Sequence, residues 1–132
     1  MKIHIERGAA YRVQGYSAGS VVVARGEAEA EQTLTAPAIL RPNDLPVAWP
    51  VVDITPPLAA FEALLDYAPE VVLYGSGPRL RFPGAQVMHL FQTRGIGFET
   101  MDTHAACRTY NVLSMEGRRV LAALLIGPTA GR

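Results

Sequence analysis

The sequence predicts an α/β fold with a β-rich N-terminal portion, and three observations carry that reading. Apolar and polar residues alternate at period two early in the chain, as in Ile3 and Ile5 and in Tyr11-Arg12-Val13-Gln14, which is the spacing of a half-buried strand. After Pro57 the period changes, and Leu58, Phe61, Leu64 and Leu65 recur on one helical face. Short apolar runs at 70–74, 96–101 and 118–126 then alternate with helical segments. Strand–helix–strand–helix–strand order implies a sheet with helices packed on it and right-handed crossovers.

Taken in order, Gly15 and Gly19 are expected to bracket a turn between strands at 11–14 and 20–24, with further strands at 32–35 and 38–40. Five prolines at 42, 46, 50, 56 and 57 break regular structure. Residues 42–55 are therefore expected to form an irregular connection. It is too apolar for a solvated linker, because it holds Leu45, Val47, Trp49, Val51, Val52 and Ile54. Thr55-Pro56-Pro57 reads as a helix start, with Thr55 as N-cap and Pro56 at the first helical position; the helix ends near Pro69. The strand at 70–74 stops at Gly75-Ser76-Gly77-Pro78. A helix over about 84–94 places Val87, Leu90 and Phe91 on one side, with Gly95 as its left-handed cap. The strand at 96–101 leads to a helix capped by Asp102 or Thr103, whose inner face is Ala106, Tyr110 and Leu113 and which Gly117 closes. A single domain over 1–132 is expected, divided into a β-rich part (1–41), the connection (42–55) and an α/β part (56–126).

Composition narrows the function. With 49% apolar and 18% charged residues the chain is not of the disordered class. Its 12 basic and 12 acidic residues balance, so no nucleic-acid footprint shows in the totals. The arginines are not interleaved with stacking aromatics either, and no nucleic-acid partner is expected. The single cysteine, Cys107, excludes an intrachain disulfide framework and a Cys-rich zinc site. The N-terminus reads as neither a secretory signal nor a transit peptide. The longest apolar run, 120–126, is far short of the roughly 20 residues a membrane helix needs. A cytoplasmic protein without membrane insertion is expected.

Gly75-Ser76-Gly77 lies between a strand and a helix, where open α/β sheets place ligands. Glycines let backbone N–H groups approach an anion. The dinucleotide fingerprint is incomplete, because Leu80 stands where a third glycine belongs and Pro78 removes a donor. The loop is thus either a tight structural turn or a cradle for a small anionic ligand. In the second case Arg79 or Arg108 would contact the ligand, and Asp102, Thr103 and Asn111 would orient it. Asn111 is also expected to bond backbone in this loop, and Tyr110 to need a partner for its hydroxyl. His104 and Cys107 share a helix face, but the thiol sits beside Ala106 and Tyr110 and reads as a small buried group. No histidine has metal-ligand spacing. No catalytic residue, metal or cofactor is expected. Trp49 reads as core, or as the anchor of a protein partner if exposed.

Gly75-Ser76-Gly77, Met101-Asp102-Thr103, Ala105-Ala106, Arg108-Thr109-Tyr110-Asn111 and Glu116-Gly117-Arg118 together carry a resemblance. In order and spacing they are similar to the Mth-type domain family, which includes adipogenesis-associated proteins and the mitochondrial NADH dehydrogenase (complex I) assembly factor 3. The resemblance runs over about 36–126, and the first 30 residues match loosely. The family often has Gly-Thr-Gly where this chain has Gly-Ser-Gly. The resemblance implies a three-layer domain with a central mixed sheet of about five strands. It implies no catalytic activity or cofactor, and its mitochondrial members act as assembly proteins through partner contacts. The expected function is a non-enzymatic binding or assembly-assisting domain acting through protein contacts. The alternative is a protein or enzyme that takes a small anionic ligand at the Gly75–Gly77 loop and the 102–111 helix start.

Overall fold

Residues 120–126 are apolar at every position, so a strand there must be covered on both faces. The chain builds that arrangement in a computed structural model, which describes residues 9–26 and 29–127. The expected alternation at Ile3 and Ile5 lies outside the described residues. A three-stranded antiparallel sheet has the order β1 (Tyr11–Ser17), β2 (Ser20–Arg25), β3 (Gln32–Leu34). A five-stranded mixed sheet has the order β5 (Asp44–Ala48), β4 (Ala38–Arg41), β8 (Val120–Leu124), β6 (Val71–Gly75), β7 (Gly97–Met101). In it β6 runs parallel to both neighbours, and β4 is antiparallel to β5 and β8. The helices are α1 (Leu58–Glu62), continued by a 3-10 turn (Ala63–Tyr67), then α2 (Ala85–Gln92) and α3 (Thr103–Met115).

Three layers follow from the period-two alternation of β8 and its extension. Val120, Ala122, Leu124 and Ile126 pack with Ala106, Cys107 and Tyr110 of α3 and with Val13, Val21 and Val23 of the small sheet. Leu121, Ala123 and Leu125 pack with Phe61 and Leu64, with Val87, Leu90 and Phe91 of α2, and with Trp49. The expected α/β class, the mixed sheet of five strands and the extra N-terminal β portion are all present.

Three local expectations need correction. The stretch 42–55 is not wholly irregular, because it contains β5. Pro46 is tolerated there since β5 is an edge strand and the ladder shifts register between Ile39 and Arg41, opposite the proline. Gly15 lies inside β1 at a register shift between Val13 and Gly15, and the turn is made at Ala18-Gly19, where Gly19 has φ 83°. Thr55 is not the N-cap. The helix starts after Pro57, which caps it without a side-chain bond, because the second proline pushes the residue before it out of the helical region.

Candidate functional site

The parallel strands β6 and β8 end side by side, and the N-terminus of α3 descends onto them. Gly75 makes this approach feasible. A Cβ there would lie 2.7 Å from Leu124 Cδ2 and 3.1 Å from the Thr103 Cα. Thr103 then ties three segments together. Its N–H donates to the Gly77 carbonyl at 2.8 Å, and its hydroxyl accepts from the Gly77 N–H at 2.9 Å and donates to the Leu125 carbonyl at 2.8 Å. Asp102 caps α3, its Oδ1 accepting from the Ala105 N–H at 3.0 Å, so the orphan donors of the first turn are largely spent on the protein itself.

Above this floor lies a cleft of about 260 Å³, lined by Gly77, Pro78, Asp102, Thr103, His104, Leu125, Ile126 and Gly127 and walled by Ser17–Val21 of the β1–β2 turn. The wall is fastened to α3. The Tyr16 ring stacks on His104 at 4.2 Å, and its hydroxyl accepts from Arg108 Nη1 at 2.8 Å. His104 Nε2 lies 3.3 Å from the Ser17 carbonyl oxygen.

Of the residues singled out in the sequence, the structure brings Gly77, Asp102 and Thr103 to this cleft. Gly75 is buried beneath it, and Ser76 is fully buried. The Ser76 hydroxyl accepts from the Arg81 N–H at 3.0 Å and lies 2.7 Å from the Arg79 carbonyl and 3.1 Å from the Met101 carbonyl, so it shapes the following loop. Arg79 does not line the cleft, and the Arg108 side chain is spent on Tyr16.

Asn111 does not reach the Gly75–Gly77 loop. Its Oδ1 accepts from the Val13 N–H and its Nδ2 donates to the Val13 carbonyl, both at 2.9 Å. Eight residues along a helix from Thr103 place it roughly 12 Å away, too far for the loop. Tyr110 does find its partner, donating to the Tyr11 carbonyl at 2.9 Å. Trp49 is 2% exposed, meets Phe61 and Tyr74 edge-on, and donates from Nε1 to the Ala60 carbonyl. It belongs to the core and is not itself a partner surface, because its indole fills the space under α1.

The Cys107 thiol is buried, and that burial pushes its pKa up to about 12, the opposite of an activated nucleophile. Among the described residues no group of three or more His, Cys, Asp or Glu is placed to hold a metal ion. No helix among them is long and apolar enough to cross a membrane. Sequence reasoning missed two features. The Tyr16–His104–Arg108 contact has no local signal, since Tyr16 lies 88 positions from His104 and 92 from Arg108 across the β1–α3 gap. Leu80 and Phe82 are exposed in the loop before α2, and two bulky apolar residues between Pro78 and Pro83 were a readable sign of that.

Residues 13–125 match the model of a family described as "Protein of unknown function (DUF498/DUF598)". The chain belongs to this family. Within it, the human NADH dehydrogenase [ubiquinone] 1 alpha subcomplex assembly factor 3 is 39% identical over 98 residues, covering 72% of this chain and 52% of that protein. The Danio rerio protein of the same name is 44% identical over 68 residues, covering 52% of this chain and 38% of its own length. The chain spans about half the length of the curated relatives it matches. Among solved structures, a Xanthomonas campestris protein determined by NMR superposes with TM-score 0.73 at 39% identity, covering 89% of this chain and 85% of that one. A Bordetella parapertussis crystal structure gives 0.75 at 34% identity, covering 89% and 97%. A Bordetella pertussis protein described as a Mth938-like domain gives 0.68 at 28% identity, covering 87% and 85%. The DUF498/DUF598 family is thus the Mth-type family that residues 36–126 resemble.

Proposed function

We propose that this chain is a binding domain that assists assembly by holding a protein partner and performs no chemistry of its own. The observation that carries this reading is the loop between β6 and α2. Leu80 is 53% and Phe82 70% exposed, while the buried Ser76 hydroxyl fixes the backbone between them and β6. An aromatic side chain held on a rigid loop loses little conformational freedom on binding, which is how anchor residues at interfaces act. The relatives' description as assembly factors supports the same reading. A cytoplasmic placement is part of the proposal and is supported by Cys107 being the single cysteine and unbridged; cell fractionation checks it.

The test places a photo-crosslinking residue at position 82 in the chain's own cells. One predominant protein conjugate is expected, and excess unlabelled chain should compete it away while Phe82→Asp chain should not. A crosslink yield no higher than that from the exposed position Val112 of α3 would sink the reading.

A second reading is favoured by the convergence of Gly77, Asp102 and Thr103 on the cleft. No arginine is among the described residues that line it, and Asp102 adds a carboxylate. The chemistry that fits is a small ligand offering hydroxyl or cationic groups, where the sequence alone suggested an anion. Such a ligand should raise the melting temperature with its concentration.

A further inference from the structure

Four strand edges of the two sheets face outward, and three of them are spent. The β1 edge is closed by α3 and the β4–β5 turn. Asn111 takes both backbone groups of Val13, Tyr110 takes the Tyr11 carbonyl, and the Tyr11 N–H donates to the Pro42 carbonyl. The β3 edge is three residues long. The β5 edge carries Pro46 and a register shift. Short strands, prolines and bulges are the devices that keep an edge from pairing.

The β7 edge has none of these. Its five residues, Gly-Phe-Glu-Thr-Met, pair with β6 in unbroken parallel register, and among the described residues no strand lies on its other side. The Gly97 N–H donates to the Glu70 carbonyl and the Met101 carbonyl accepts from the Ser76 N–H. In a parallel ladder bonding alternates by residue, so Gly97, Glu99 and Met101 face β6. The N–H and C=O groups of Phe98 and Thr100 therefore point outward as a ready template.

We infer that the outer edge of β7 takes an extended segment of a protein partner as a sixth strand, with a basic residue of that segment across from Glu99. This rests on the reading that the chain binds a protein. A second copy is the poorer occupant. The antiparallel register that uses all five residues sets Glu99 opposite Glu99, and like charges directly opposite weaken pairing. A lysine or arginine there has the complementary charge, and Glu99 is exposed and free to meet it. The edge is also continuous with the proposed anchor loop, because Ser76, which fixes that loop, bonds the last residue of β7 through both its N–H and its hydroxyl.

The probes are short synthetic peptides of alternating valine and threonine. One has a central lysine, one a central glutamate, and a third is the lysine peptide N-methylated on its bonding side. The lysine peptide should slow hydrogen exchange at the Phe98 and Thr100 amides. It should bind about fivefold more tightly than the glutamate peptide, a preference that Glu99→Lys reverses, as expected for one cross-strand charge pair. Thr100→Pro should abolish the protection; Glu99→Lys keeps the test valid should that variant not fold. Unchanged exchange at both amides with every peptide, or equal protection by the N-methylated peptide, overturns the inference. A crosslink from position 82 that persists undiminished in Thr100→Pro chain, with no peptide protection, overturns this inference alone and leaves the partner reading standing. Peptide protection without any crosslink supports the edge and removes Phe82 as the partner's anchor.

Discussion

On the α3 face of the five-stranded sheet, the contacts that set position are directional. Thr103 bonds Gly77 and Leu125, Tyr110 bonds Tyr11, and Asn111 bonds Val13 twice. On the opposite face they are mainly ring contacts, with one hydrogen bond from the Trp49 indole to the Ala60 carbonyl beside them. Phe61 meets Trp49 at 5.4 Å and Tyr74 at 5.1 Å, both edge-on, and Phe91 stacks on Phe98 at 4.7 Å. The difference follows from what each face must cover. The α1–α2 face is closed by helices that bring their own satisfied backbone, so apolar volume suffices. The α3 face must also hold a second sheet whose edge carries unpaired backbone groups, and polar side chains at fixed positions are what satisfy them.

Breaking the ring face should cost most. Phe61 is fully buried, and Phe61→Ala should lower stability by about 3–5 kcal/mol, measured by urea unfolding. The loss should be global, because the cavity opens beneath α1 and beside β6. A loss under about 1 kcal/mol would mean that the face repacks and the contrast is overdrawn.

Asn111→Ala tests the polar face and comes next. Two backbone groups of Val13 lose their partner, at a cost of about 2–3 kcal/mol. The effect should be local, with the Val13 amide losing exchange protection while those of β6 and β8 keep it. Uniform loss across the chain would show that β1 and the central sheet open as one unit.

Asp102→Ala sharpens the same face at its cleft end. Only the cap bond to Ala105 is removed, so a loss of about 1 kcal/mol is expected from denaturant melts. Wild-type stability together with loss of a ligand or partner would make Asp102 a binding residue instead of a cap.

The smallest effect at neutral pH belongs to neither face. Glu70 joins the starts of β6 and β8. The Arg119 N–H and the Arg118 guanidinium bond its carboxylate and hold its pKa below the ordinary glutamate range. A folded value below the unfolded one adds stability above the ordinary range, and that contribution is lost as the pH falls through the folded value. Glu70→Gln should therefore lower stability slightly at pH 7 and converge on wild type in acid, which flattens the acid side of the stability profile. An unaltered acid limb would show the pair contributes nothing, as many exposed pairs do.

The sequence by itself determined the order and type of most elements, because those depend on local periods. Leu58, Phe61 and Leu64 marked one helical face, Val87, Leu90 and Phe91 another, and the run 120–126 required cover on both sides. It also placed Asp102 at the start of α3, since a cap is a contact between near neighbours. The tertiary structure alone decided what met what. Asn111 bonds a strand 98 positions away, Trp49 lies in the core, and Pro46 sits in a strand because that strand is an edge. Which edge stays unpaired was likewise a matter of strand order. Each of these depends on pieces of chain brought together only when the layers close, and no spacing along the chain encodes that distance.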